Sequence, residues 1–208
     1  MIADVNLTLI LLAALIATAS PGPATLAIAG TSMASGRRYG LALAAGVMTG
    51  SLTWSIAAAA GLSAIMLANA WAFEALRYAG AAYLLFLAFK SARAALTAGA
   101  PALRHVATST LRSAYRRGLV LHLTNPKAIL FFGSLYAVGV PAGASVETLA
   151  LVIAAVGLQS LLLFHGYALL FSSPPLTAGY TKLRRWFEAV FAVAFAGAGL
   201  KILTAKLS

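Results

Sequence analysis

The chain contains no cysteine. Disulfides, thiolate metal sites and cysteine nucleophiles are therefore excluded, and the redox compartment is left undetermined. Acidic residues are almost as scarce: Asp4, Glu74, Glu147 and Glu188 are the only four in 208 residues. So few carboxylates leave little for a metal site. Phosphotransferases that rely on clustered aspartates are excluded, because Asp4 is the only Asp. Charge of either sign is short, at 9% of residues against about 25% in an average soluble domain. A soluble surface needs charge to stay solvated, so a soluble enzyme of this size is not expected. No serine nucleophile motif stands out either, and the reading is of a non-enzyme with no cofactor and no metal.

What the chain does have is apolar surface, with 62% hydrophobic residues and a mean hydropathy of +0.92. Disorder is excluded, since it requires low hydrophobicity. A net charge of +11 points to an anionic partner, and the hydropathy makes that partner membrane lipid, not nucleic acid. A helix needs about 20 apolar residues to cross a bilayer core. Windows of that length, bounded by charges, give an all-α membrane protein of six spans. They run from Val5 to Met33, Tyr39 to Leu67, Trp71 to Phe89, Gly118 to Val140, Val146 to Phe171 and Trp186 to Leu203. They fill nearly the whole chain, so residues 1–208 form a single membrane domain with no separate soluble one.

The joints support this division. Ser35-Gly36-Arg37-Arg38 closes the first span, Gly139-Val140-Pro141-Ala142-Gly143 separates the fourth from the fifth, and Ser172-Ser173-Pro174-Pro175 ends the fifth. The longest connector, Ser91 to Arg117, carries five arginines and reads either as a solvated loop or as a basic amphipathic helix on the membrane surface. With the N-terminus outside, eleven Lys and Arg fall on the inner side and three on the outer, which predicts N-out and C-out. Ala17-Thr18-Ala19 resembles a signal-peptide cleavage site, but no basic residue precedes the apolar run and Asp4 puts the wrong charge there, so the segment is expected to be retained.

Two breaks interrupt the spans. Ser20-Pro21-Gly22-Pro23 lies about 20–25 Å of helix from either edge of the first span, near mid-membrane. Its prolines remove two backbone N–H groups and free carbonyls that lipid cannot satisfy. Asn125-Pro126-Lys127 interrupts the fourth span. It draws Lys127 into the bilayer, where Lys costs about 2.5–3.5 kcal/mol at a helix centre. Such a group faces a cavity or partner and marks function, or snorkels to the headgroups. Pro21 and Pro126 are half a chain apart, each in the first span of a three-span half. Inverted repeats with paired broken helices, here about residues 1–103 and 104–208, are a transporter signature, although the second break sits only eight residues past Gly118.

Broken helices supply what an amino acid needs. Half-helix N-termini attract a carboxylate, and freed carbonyls accept from an ammonium. Ser20, Thr25 and Asn125 add neutral donors and acceptors, and Lys127 offers a cation. The candidate substrate-binding residues are therefore Ser20, Pro21, Gly22, Pro23, Thr25, Asn125, Pro126 and Lys127. His122 and His165 are interfacial histidines or proton-coupling groups. Gln159 is a helix-to-helix hydrogen bonder or a pathway residue. Ala42, Gly46 and Gly50 form a small-residue packing face. None of the four acids is placed deep in a span by these boundaries.

These stretches resemble the LysE/RhtB family of amino-acid exporters over about residues 5–205. The matching pieces are Ser20-Pro21-Gly22-Pro23, Ser35-Gly36-Arg37-Arg38-Tyr39-Gly40, Tyr78-Ala79-Gly80-Ala81-Ala82-Tyr83-Leu84, Asn125-Pro126-Lys127-Ala128 and the segment from Arg184 to Lys201. The resemblance implies an inner-membrane secondary transporter of a bacterial cell that exports amino acids or close derivatives, driven by the proton gradient. Two positions depart from the family pattern. Ala24 stands where Asn is common, and Leu135-Tyr136-Ala137-Val138-Gly139 replaces a Pro-Gln-Phe-type segment. The expected partners are a small-molecule substrate and lipid, with self-association into a homo-oligomer left open. The competing functions are a channel or non-transport membrane protein, and an intramembrane enzyme.

Overall fold

The computed structural model describes residues 5–68, 70–97, 109–141 and 143–204. All regular structure among them is helical: α1 (Leu7–Ala19), α2 (Pro23–Ser35), α3 (Arg37–Ala68), α4 (Ala70–Leu96), α5 (Leu111–Leu123), α6 (Pro126–Gly139), α7 (Val146–Leu170) and α8 (Pro174–Thr204). Asp4, Lys206 and the middle of the Ser91–Arg117 connector, with Arg104, lie outside the described residues.

Local chemistry sets most of these boundaries. Asn6, Thr110, Asn125 and Ser145 each cap a helix N-terminus by accepting a backbone N–H, at α1, α5, α6 and α7. Pro23 and Pro126 occupy the first turns of α2 and α6, where the missing N–H removes no intrahelical bond. Gly36 ends α2 at φ +87°, a conformation L side chains rarely adopt, and lets α3 begin at the next residue.

Among the described residues, three helices are long and apolar enough to cross a membrane: Arg37–Gly61 of α3, Tyr78–Leu96 of α4 and Val146–Leu170 of α7. The α1–α2 pair adds a fourth candidate as one span bent by 51° at the first break. Apolar side chains line the outside, among them Leu12, Leu15, Phe86, Leu158, Leu162 and Val193. That surface suits hydrocarbon and not water.

Several boundaries differ from the sequence reading. α5 begins at Leu111, so Gly118 is the middle of a helix and not the start of a span. Arg112, Arg116 and Arg117 broke the apolar window there without breaking the helix. The second break therefore follows a 13-residue helix, as the first does. α8 begins at Pro174, well before Trp186, because a proline pair that cannot continue α7 is tolerated in the first turn of the next helix. The longer α8 puts Glu188 near its middle, and the side chain is buried at 4% exposure. The sequence reading placed no acid deep in a span, with Glu188 near the start of the sixth; in the structure it sits midway along a longer helix.

Close approach of backbones positions the second break. A methyl at Gly46 of α3 would collide with the Tyr115 carbonyl of α5, and one at Gly118 with the Leu43 carbonyl of α3. Gly50 meets the His122 side chain, at 3.0 Å from a would-be Cβ. The core forms two apolar clusters. One gathers Ile10, Phe131, Phe132, Tyr136, Val152 and Phe195. The other gathers Ala27, Ile28, Leu43, Val47, Ala114 and Phe164. α1 and α6 belong to the first cluster, α2 and α5 to the second, so both breaks fall on the seam between them.

Candidate functional site

The first break satisfies its own backbone. The Ser20 N–H donates to the Ile16 carbonyl at 2.9 Å, and the Ser20 hydroxyl to that of Ala17 at 3.1 Å. Thr25 closes the start of α2: its hydroxyl accepts the Gly22 N–H at 2.8 Å and donates to the Gly22 carbonyl at 3.1 Å. Two further carbonyls take partners from distant helices. Tyr167 of α7 donates its phenol to the Ala19 carbonyl at 2.5 Å. Lys127 of α6 donates its ammonium to the Ser20 carbonyl at 2.9 Å and to Ser20 Oγ at 2.5 Å.

Lys127 thus joins the two breaks. Its backbone is fixed at the second break, where its N–H donates to Asn125 Oδ1 at 3.1 Å and its carbonyl accepts from Tyr83 at 3.4 Å. Its side chain crosses to the first break, passing over Gly22, where a Cβ would stand 3.1 Å from Lys127 Cδ. The C-terminal end of α1, capped by Ser20, suits a cation, since a helix C-terminus carries partial negative charge. The sequence reading assigned the freed carbonyls to a substrate's ammonium. An ammonium does occupy the Ser20 position, and it belongs to Lys127.

The breaks border a small, partly open chamber of about 40 Å³, with room for water and not for an amino acid. Ser20, Gly22, Thr25, His122, Asn125 and Lys127 line its polar side, with Phe131, Phe132 and Phe164 opposite. Two helix C-termini, of α1 and α5, and two N-termini, of α2 and α6, meet around it. His122 is buried at 5% exposure, edge-on to the Phe164 ring at 5.7 Å between centroids. Neither of its ring nitrogens has a hydrogen-bond partner. A buried imidazole without partners carries a desolvation cost of about 1–3 kcal/mol that a bound water or ligand group would remove.

The remaining sequence candidates lie around this centre. Pro23 and Pro126 shape the wall on its far side, and Pro21 lies within the first break. Gln159 is a packing contact between helices, donating from α7 to the Leu11 carbonyl of α1 at 3.0 Å, with its Oε1 unpartnered. His165 bonds to the Leu161 carbonyl of its own helix at 2.9 Å and does not line the chamber. Ser51, Tyr83, Tyr167 and Glu188 were absent from the sequence candidates. Ser51 lines the chamber and contacts Ser160 at 3.4 Å. Glu188 accepts from Ser91 of α4 and lies within electrostatic reach of Lys127, Lys90 and Arg184. No local signal marks these four, since each acts through a residue far away in the chain; Tyr83 alone stands in a stretch already noted for its family resemblance.

The sequence model of one family, the LysE type translocators, matches residues 15–206. A threonine efflux protein of Escherichia coli (strain K12) is 29% identical over 197 residues, 92% of this chain and 94% of that protein. A threonine efflux protein of Salmonella typhimurium is 27% identical over 194 residues, with the same shares of 92% and 94%. A leucine efflux protein of Salmonella choleraesuis is 38% identical over 119 residues, 56% of this chain and 54% of that protein. No solved structure matches the chain.

Proposed function

This chain belongs to the LysE type translocator family, and we propose that it exports amino acids or closely related small metabolites across the bacterial cytoplasmic membrane. The observation that carries this reading is the Lys127 ammonium seated on Ser20 where two broken helices meet. A site that holds one ammonium on a carbonyl and a hydroxyl has the chemistry to hold another. The half-helix N-termini of α2 and α6 supply the complementary attraction for a carboxylate. Relatives named for threonine and leucine efflux support the same substrate class.

The mechanism we infer is alternating access around Ser20–Pro23 and Asn125–Lys127. In it, α1–α2 and α5–α6 are the paired broken spans of two inverted three-span repeats, six spans in all. The near-equal lengths favour this pairing, at 13 and 13 residues in the first pair and 13 and 14 in the second. Both termini lie outside in this reading, and the proton gradient drives export. His122 is the histidine that lines the chamber; His165 lies away from it.

The test is uptake into everted vesicles, or efflux from loaded proteoliposomes, of labelled threonine, leucine and other amino acids, with and without an imposed proton gradient. Saturable flux that collapses with the gradient is expected. Absence of saturable flux for every amino acid and related metabolite would overturn the reading. Flux indifferent to the gradient would overturn its coupling.

A further inference from the structure

The wall of the chamber has a second side. A cavity of about 650 Å³ lies against it, with Pro23, Asn125 and Pro126 in its lining. Asn125 lines both spaces, so the large cavity and the small chamber adjoin at the second break. The larger volume falls within the roughly 300–1,000 Å³ range of small-molecule sites; the chamber is an order of magnitude smaller.

One wall is a single face of α5. Arg112 and Arg116 are one turn apart, and Arg117, Val120 and Thr124 continue the face down to Asn125. Arg112 and Thr124 are separated by about 18 Å of helix, so the lining passes from cationic at the mouth to neutral and polar at the second break. Arg112 and Arg116 are exposed, and no acid is present among the described lining residues. An orientation signal requires only that arginines fall somewhere in the segment. It does not require them to line a cavity that borders the two breaks.

We propose that this cavity is the vestibule through which substrate reaches the chamber, and that Arg112 and Arg116 form an outer seat for a carboxylate. The proposal rests on the transporter reading for its substrate, but not for its charge selection. Guanidinium groups pair with planar carboxylates in fork geometry, and a one-signed cleft concentrates ions of the opposite sign. The phosphate of an anionic lipid headgroup is the other source of the same chemistry, and lipid composition separates the two.

The cysteine-free chain allows single engineered thiols. Ser113→Cys and Thr124→Cys would be labelled in everted and in right-side-out vesicles. The probes are a sulfonate-bearing and a trimethylammonium-bearing methanethiosulfonate, each rate divided by that with a free thiol. Both positions should label in everted vesicles only. The sulfonate should be favoured at least fivefold at Ser113→Cys, and the preference should vanish with Arg112→Gln/Arg116→Gln. An unreactive Thr124→Cys, labelling from the opposite face, or equal rates for the two probes would overturn the vestibule. In proteoliposomes of phosphatidylcholine alone, the double arginine variant should raise KM for a carboxylate-bearing substrate at least fivefold, with the maximal rate within twofold. A KM change confined to vesicles containing phosphatidylglycerol would assign the arginines to headgroups and overturn the carboxylate seat. If the unmodified protein transports nothing, the transporter reading fails, while the labelling preference still decides the charge selection.

Discussion

Lys127 is where single-residue tests are sharpest. Lys127→Met keeps length and volume but removes both contacts to Ser20. The partly buried ammonium carries a desolvation cost that an apolar side chain of similar volume does not. Export should therefore fall at least tenfold while the unfolding temperature in detergent moves little; a variant that transports normally would remove Lys127 from the mechanism. Gly22→Ala should push the Lys127 stem aside, since the added methyl meets Cδ at 3.1 Å. Its effect on transport should be large in the wild-type background and small beside Lys127→Ala, a non-additivity that a double-mutant cycle reads directly. Glu188→Gln keeps a partner for Ser91 but withdraws negative charge from the vicinity of Lys127 and Lys90. Without it the Lys127 ammonium has less compensating charge nearby. Thermal unfolding should show a loss that Lys127→Met partly restores.

At the scale of elements, the α3–α5 contact is the most brittle. Gly118→Val places two methyls against the Leu43 carbonyl, where neither backbone has room to retreat. A loss of about 1–3 kcal/mol is expected from overpacking, read as a lower unfolding temperature in detergent. The breaks themselves were legible in the sequence because proline and asparagine act locally: Pro23 and Pro126 start helices by removing one N–H, and Asn125 caps with its own side chain. The starts of α5 and α8 were not legible. Arg112, Arg116 and Arg117 in α5, and Pro174-Pro175 followed by Lys182, Arg184 and Arg185 in α8, read as loop in any apolar window, although Arg and Lys are good helix formers. Glu188 was misplaced for the same reason. Its burial is decided by α4 lying along α8, a pairing that no stretch of local sequence contains.

For the whole molecule, the seam between two apolar clusters is what makes a polar centre tolerable. Nine or more buried core residues on either side hold four helix ends in contact, so backbone that lipid would penalise is enclosed by protein. The family resemblance and the helical membrane architecture were readable from the order and spacing of short motifs. The chamber was not, because it is assembled from α1, α2, α3, α5, α6 and α7, and only the break residues announce themselves. Lys127 was visible as an anomaly of hydropathy, but its partner Ser20 lies 107 residues away.

The bond between Lys127 and Ser20 also bears on the return half of a transport cycle. A carrier that releases cargo outside must reset with its binding seat vacant, and a vacant seat exposes carbonyls that need a donor. In the cycle proposed above, the chain fills that seat with the Lys127 amine, so the unloaded state is already satisfied. Resetting then needs no cargo for the return trip. Amino acid added to the far side should not accelerate net efflux, whereas Lys127→Ala should leave a carrier whose efflux depends on exchange.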